Sequence, residues 1–218
     1  NNYFEKEDTQ KLIAADYRFM AQLTARDTSK ISSTIHYYIN AAMRDTISSK
    51  RAADASALAG LYKKTGDFAS QAEWLGKLYQ WKDKTNNIDL FNWGLAWYMA
   101  NNYQATDSVF SLYTTRYPQD IFGYYWRALA NAAIDTAMKD GLAIPFYNKV
   151  AELGETNATA NKKMLLKAYG YLGGYEANIS KNFPVSLSWF EKYAALEENA
   201  EVRQYIDVLK KWIAEKKE

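Results

Sequence analysis

An all-α chain built from short antiparallel helix pairs is predicted by three observations. Apolar residues recur at intervals of three and four, and alternation at two is nearly absent. Turn-forming residues punctuate the chain at short intervals: Gly66-Asp67, Asn86-Asn87, Asn101-Asn102, Pro118, Asp140-Gly141, Gly173-Gly174 and Pro184. A small residue also returns with a long period, at Ala21, Ala59, Gly94, Ala128 and Ala168, spaced 38, 35, 34 and 40 residues apart.

Composition bounds the chemistry. The 218 residues carry 27 Lys+Arg and 25 Asp+Glu, a net charge of +2, and this balance gives no pull toward nucleic acid. Hydrophobic residues make 48% and charged ones 24%, enough apolar surface for a folded core. With no Cys, disulfides, thiolate metal sites and a cysteine nucleophile are excluded; one His excludes a multi-histidine metal centre. The outlier is aromatic content, 16%, from 7 Trp, 18 Tyr and 9 Phe. The most apolar stretch, Leu90–Ala100, has 11 residues and includes Asn92 and Gly94. That is short of the ~20 a membrane span needs, so no membrane insertion is expected. The compartment stays open between cytoplasmic and extracytoplasmic, because a targeting segment is expected to be missing from a chain that opens Asn1-Asn2-Tyr3-Phe4 without an initiator Met.

The helices follow in order. Tyr17, Met20 and Ala21 pair with Ile35, Ile39 and Ala42 on a partner helix. Ala55, Leu58, Ala59 and Tyr62 precede Gly66-Asp67-Phe68, a helix turn, and then Ala72, Leu75 and Leu78. Leu90, Trp93, Gly94 and Trp97 are followed by Tyr103, Thr106, Phe110, Tyr113 and Pro118. Tyr124, Ala128 and Asn131 lead, after an insertion at 135–140, to Ala143, Tyr147 and Val150. Met164, Ala168 and Tyr171 lead, after an insertion through Gly173-Gly174, to Phe183, Ser186, Phe190 and Tyr193. Last, Val202, Tyr205, Ile206, Leu209, Trp212 and Ile213 form one helical stripe.

With Leu90 as position 4, the third unit has Trp93, Gly94, Trp97, Tyr103, Thr106, Phe110, Tyr113 and Pro118 at positions 7, 8, 11, 17, 20, 24, 27 and 32. This pattern resembles the tetratricopeptide repeat (TPR). The spacing has a physical cause. Small residues at 8 and 20 let two helices approach, bulky ones at 4, 11 and 24 fill the space around them, and Pro at 32 stops the second helix. The other units depart in places. Asn131 and Thr24 stand where an aromatic is usual at 11, and Thr106 and Ser186 stand for Ala at 20. The resemblance implies an all-α, right-handed α-α superhelix, a TPR solenoid of about five helix pairs plus a C-terminal capping helix. The expected organisation is a single array over 1–218. Residues 1–8 are the tail of a preceding repeat, 9–48, 49–86, 87–120, 121–158 and 159–198 are repeats, and 199–218 is a capping helix whose polar face shields the last repeat. The chain thus looks like the C-terminal part of a longer bacterial TPR-only protein.

Chemistry-bearing motifs are sparse. His36 lies inside a predicted helix without metal-spaced partners and reads as a packing or surface residue. No Gly-x-Ser-x-Gly elbow occurs. The stretch Gly60–Gly66 only superficially resembles a phosphate loop: it lacks the closing Gly-Lys-Ser/Thr, and Gly66 already serves as a helix turn. The sequons at Asn157 and Asn178 carry little weight, and Lys210-Lys211 and Lys216-Lys217 read as solvated helix positions. No catalytic residue, metal site or cofactor is expected, and the chain is read as no enzyme.

The resemblance further implies that positions 2, 5, 9, 12 and 13 of each first helix line a concave groove. In the third unit this stripe gives Phe91, Leu95, Tyr98 and Met99; in the fourth, Phe122, Tyr125 and Leu129; in the fifth, Leu165, Tyr169 and Leu172. The second unit adds a basic corner at Lys63 and Lys64 beside Ala53, Ser56 and Gly60. The clamp that some TPR proteins use for chaperone tails needs Lys and Asn at 5 and 9, where this chain has Ser56, Gly60, Phe91 and Leu95. The expected function is a scaffold that binds a peptide or helix of another protein in this aromatic groove, with self-association left open. The alternative is a binding protein for a small molecule or glycan that stacks on Tyr and Trp faces.

Overall fold

The computed structural model describes residues 12–215. The expectations for residues 1–8 and for Lys216-Lys217 fall outside them. The described residues form eleven α-helices and no strand. The chain divides into two compact units, the first ending at Asn102 and the second beginning at Tyr103.

The first unit holds α1 (Ala14–Thr24), α2 (Ile31–Arg44), α3 (Ser48–Thr65), α4 (Phe68–Trp81) and α5 (Asn87–Met99). The second holds α6 (Tyr103–Arg116), α7 (Ile121–Ile134), α8 (Ile144–Gly154), α9 (Ala158–Asn178), α10 (Phe183–Leu196) and α11 (Ala200–Glu215). Within each unit, a helix packs chiefly on the one before it and the one after it. Short connections make such neighbours antiparallel.

The turns at Gly66-Asp67, Asn86-Asn87 and Asn101-Asn102 fall where the sequence places them. Gly66 ends α3 in the left-handed conformation at φ 76°, and the Asp67 side chain accepts from the Ser70 N–H to start α4. Asn101 takes φ 57° after α5. Asn86 and Asp89 form a reciprocal capping box at the start of α5.

The small residue at position 8 is buried in all five units, at Ala21, Ala59, Gly94, Ala128 and Ala168. Its counterpart at position 20 is fully buried as Ala72, Thr106, Ala143 and Ser186. Ala59 shares a core cluster with Trp74, Leu75 and Leu78 of α4, the helix that carries Ala72. Three departures from the repeat pattern prove to be hydrogen bonds. Thr24 Oγ1 accepts from Thr34 Oγ1 at 2.9 Å and joins α1 to α2. Asn131 Nδ2 donates to Asp107 Oδ1 at 2.8 Å and joins α7 to α6. Ser186 Oγ donates to the Gly173 carbonyl at 2.8 Å and joins α10 to α9. A polar atom is tolerated at buried Asn131 and Ser186 and at half-buried Thr24 because each one is satisfied.

Two expectations change. Gly173-Gly174 does not interrupt a helix, since α9 runs through it for 21 residues. Gly173 serves a close approach instead: a Cβ there would lie 2.9 Å from the Phe190 ring. The polar outer face expected of the capping helix is also only partly polar. Val202, Ile206 and Leu209 of α11 are buried, but Tyr205 and Trp212 remain 60% and 44% exposed.

A charged cluster ties α1 to the following helices. Arg18 donates to Asp54 through Nε (2.8 Å) and Nη2 (2.6 Å), and to Asp45 through Nη2 (2.8 Å). The Asp45 carboxyl is held below its ordinary value, first by the Ile47 backbone N–H and then by Arg18. The Asp67 carboxyl is held low by the backbone N–H and then the side chain of Ser70. A depressed folded-state pKa contributes stability above the unfolded pKa that is lost as pH falls through the folded value. These groups should therefore leave the melting temperature flat between about pH 5 and 7 and lower it below about pH 4. Melting curves across that range test this, and a melting temperature that rises on acidification would refute it.

Candidate partner-binding groove

The groove of the first unit is built by α3 and α5, with α4 as its floor. On α3, Ala53, Ser56 and Gly60 follow helical spacing and put small side chains along one wall, with Lys63 next on the same stripe. A Cβ added at Gly60 would meet nothing within 4 Å, so packing does not demand this glycine; it keeps the wall low. On α5, Asn92, Leu95, Ala96 and Met99 form the facing wall, and Gln71 and Leu75 of α4 lie between. Together they enclose a cleft of about 470 Å³. A second cleft of about 500 Å³ shares Ser56, Leu75 and Asn92 with it and extends the groove past Leu78 to Lys82 and Asp89.

The two ends differ in charge. Lys82 Nζ reaches both Asp89 oxygens, at 2.7 and 2.8 Å, so that end is internally neutralised. Lys63 lines the other end and, like the neighbouring Lys64, makes no ion pair among the described residues. Both lysines are exposed. The groove therefore offers a largely apolar floor, with Gln71 as its polar residue, and one unmatched positive end.

The expected groove residues separate. Leu95, Met99 and Lys63 line this groove, and Met99 is half exposed. Phe91 and Tyr98 are half-buried on the same helix but do not line it, because the helical turn sets Asn92 beside Leu95. In the second unit, Phe122 is 48% exposed. Tyr125 is half-buried, edge-on to Trp126 at 6.1 Å, and packs on the core of that unit.

Leu165 and Tyr169 are not open groove residues. They are 0% and 3% exposed, because α9 lies between α8 and α10 and both neighbours cover this stripe. Leu165 fills the space left by Gly154 of α8. Tyr169 stacks on Trp189 of α10 at 5.7 Å and donates its hydroxyl to Glu155 Oε1 at 2.8 Å. Burial, and then the Glu155 carboxylate, push the Tyr169 phenol well above its ordinary range. Glu155 also receives Lys192 Nζ at 2.8 Å; burial opposes its charge, but the Lys192 and Tyr169 hydrogen bonds keep its pKa below the usual value.

Sequence reasoning missed Gln71, Leu75 and Asn92, since it sought the groove on first helices alone at fixed positions. Leu75 was legible as an apolar residue of the second helix that the turn at Gly66-Asp67 folds back beneath the first. His36 is exposed and lies 3.3 Å from Asn40 Nδ2. Among the described residues, no three His, Asp or Glu side chains gather as a metal site, and no helix is long and apolar enough to cross a membrane.

No family model matches the chain, and no curated protein matches it. Solved structures do. The C-terminal part of a TPR repeat-containing protein from Cytophaga hutchinsonii matches 94% of this chain and 77% of its own, at 26% identity and a TM-score of 0.67. YrrB, described as a TPR protein with an unusual peptide-binding site, matches 89% of this chain and 91% of its own, at 13% identity and a TM-score of 0.56. A MamA fragment from Desulfovibrio magneticus RS-1 matches 84% of this chain and 94% of its own, at 16% identity and a TM-score of 0.52. The chain has the TPR fold, an all-helical repeat.

Proposed function

We propose that this tetratricopeptide-repeat chain is a non-catalytic scaffold that holds a segment of a partner protein in the groove between α3 and α5. The observation that carries the reading is the continuous groove that shares Ser56, Leu75 and Asn92, with Leu95 and Met99 on one wall and Lys63 at its open end. Its small-residue wall admits backbone, its apolar floor accepts side chains, and Lys63 selects a segment with an acidic group at that end. The peptide-binding site ascribed to YrrB supports a peptide ligand for the shared fold.

Affinity capture with the whole chain, followed by identification of bound proteins, supplies the partner. Leu95→Asp with Met99→Asp should then abolish capture, with about 2 kcal/mol or more lost at a true hot spot, while helical circular dichroism is unchanged. Lys63→Glu with Lys64→Glu should weaken binding modestly and in a salt-dependent way. Full capture by the Leu95/Met99 variant would exclude this groove. Saturable binding of oligosaccharides in place of peptides would favour a glycan-binding protein.

A further inference from the structure

The second unit holds another cleft, of about 770 Å³, between α9 and α11 with Phe190 of α10 at its floor. One wall is bare. Gly170 and Gly174 lie one helical turn apart on α9. A Cβ at Gly174 would meet nothing within 4 Å, and one at Gly170 only the Tyr193 ring at 3.8 Å. Packing demands neither glycine, and their effect is to leave the cleft wide.

The opposite wall is aromatic and held in place. Tyr205 stacks on Phe190 with centroids 5.8 Å apart and planes 11° apart, and Trp212 leans on Phe183 at 5.0 Å. Each ring is fixed by a neighbour yet stays largely exposed. The lining carries one formal charge, Glu201, which makes no ion pair among the described residues. Among the described residues, no Lys or Arg lines the cleft. The cations of α11 are engaged elsewhere: Arg203 with Glu198, Lys210 with Glu191 and Lys211 with Glu215.

We infer that this cleft binds a peptide segment of a partner protein that presents Lys or Arg beside a bulky apolar residue. The unmatched carboxylate and the negative faces of two aromatic rings both favour a cation. The gap before the glycines takes the bulky side chain. A glycan needs several fixed polar groups inside its site. Here Asn178, Gln204 and Glu201 are all exposed, while the floor is Phe190 and Leu209. The preference is opposite in sign to that of the groove ending at Lys63, so the two sites select different segments.

The test pans a random dodecapeptide display library on the whole chain, with the Gly174→Leu variant as counter-selection. Recovered peptides are then synthesised and titrated by fluorescence anisotropy. Peptides lost on Gly174→Leu should carry Lys or Arg within a few residues of Trp, Phe or Leu. Glu201→Lys and Trp212→Ala should each weaken them ~10-fold or more, and Lys63→Glu should leave them unchanged. Glu201 is an exposed helix position, so that arm stands even if Gly174→Leu fails to fold. The proposal is overturned if the recovered peptides are acidic, if Glu201→Lys leaves their affinity intact, or if the cleft takes oligosaccharides and no peptide.

Discussion

Replacing Arg18 with alanine is expected to destabilise the first unit by about 3 kcal/mol or more, a drop in melting temperature on the order of 10 °C. The guanidinium joins two carboxylates that lie mostly out of water, Asp54 at 2% side-chain exposure and Asp45 at 8%. Asp54 sits inside α3, and removal of Arg18 leaves its charge without a cation. The cost is mainly that of the orphaned carboxylate and less that of the lost attraction. Removing the charges together separates the two. Arg18→Met combined with Asp54→Leu and with Asp45→Asn, whose side-chain oxygen can still accept from the Ile47 N–H, should recover most of the loss, because buried ionic groups and uncharged groups of similar volume are often close in stability. Thermal melting of the three proteins decides the matter. If Arg18→Ala melts within a degree of the parent, the cluster is ornamental.

Gly123→Leu is expected to destabilise the second unit by about 2 kcal/mol. A Cβ at this position would lie 2.7 Å from Tyr113 Cδ1 and 2.8 Å from Thr114 Cγ2. Neither neighbour can easily move. Tyr113 is buried, donates its hydroxyl to Asp120 Oδ2 at 2.5 Å, and packs against Phe110 and Tyr117. Thr114 is buried and donates to the Ser111 carbonyl at 3.1 Å. Overpacking of this kind costs about 1–3 kcal/mol or more, and the better helix propensity of leucine offsets less than about 1 kcal/mol. Gly174→Ala is the control, since its Cβ enters open space and should stabilise slightly. Equal melting temperatures for Gly123→Leu and the parent would mean that α6 and α7 are not in such close contact.

These two glycines also mark what the sequence could and could not say. The repeat register was legible because its signals are local. Gly66 and Asn101 take positive φ at turns, and a small residue recurs wherever two helices meet. Whether a residue beside that register is open or covered depends on a neighbour, and periodicity does not carry this. Tyr169 and Leu95 occupy equivalent positions, yet one is sealed between α8 and α10 and the other lines a groove. The same limit explains Gly173, whose meaning lies in the Phe190 ring rather than in its own stretch of chain. It explains Tyr205 and Trp212 as well, which share a stripe with buried residues but stand at its edge. Asn131 looked like a lapse in the pattern until Asp107 supplied its partner.

Because helices within a unit pack chiefly on their chain neighbours, almost every contact closes a short loop. Low contact order of this kind gives rapid folding, in the microsecond-to-millisecond range for helical domains. It also makes stability graded rather than uniform. α11 has α10 as its main support, so its amides should exchange with solvent earlier than those of α9, which is packed from both sides. A ligand that bridges α9 and α11 would erase that gradient, and slowed amide exchange along α11 would report its arrival even with no change in the helix itself.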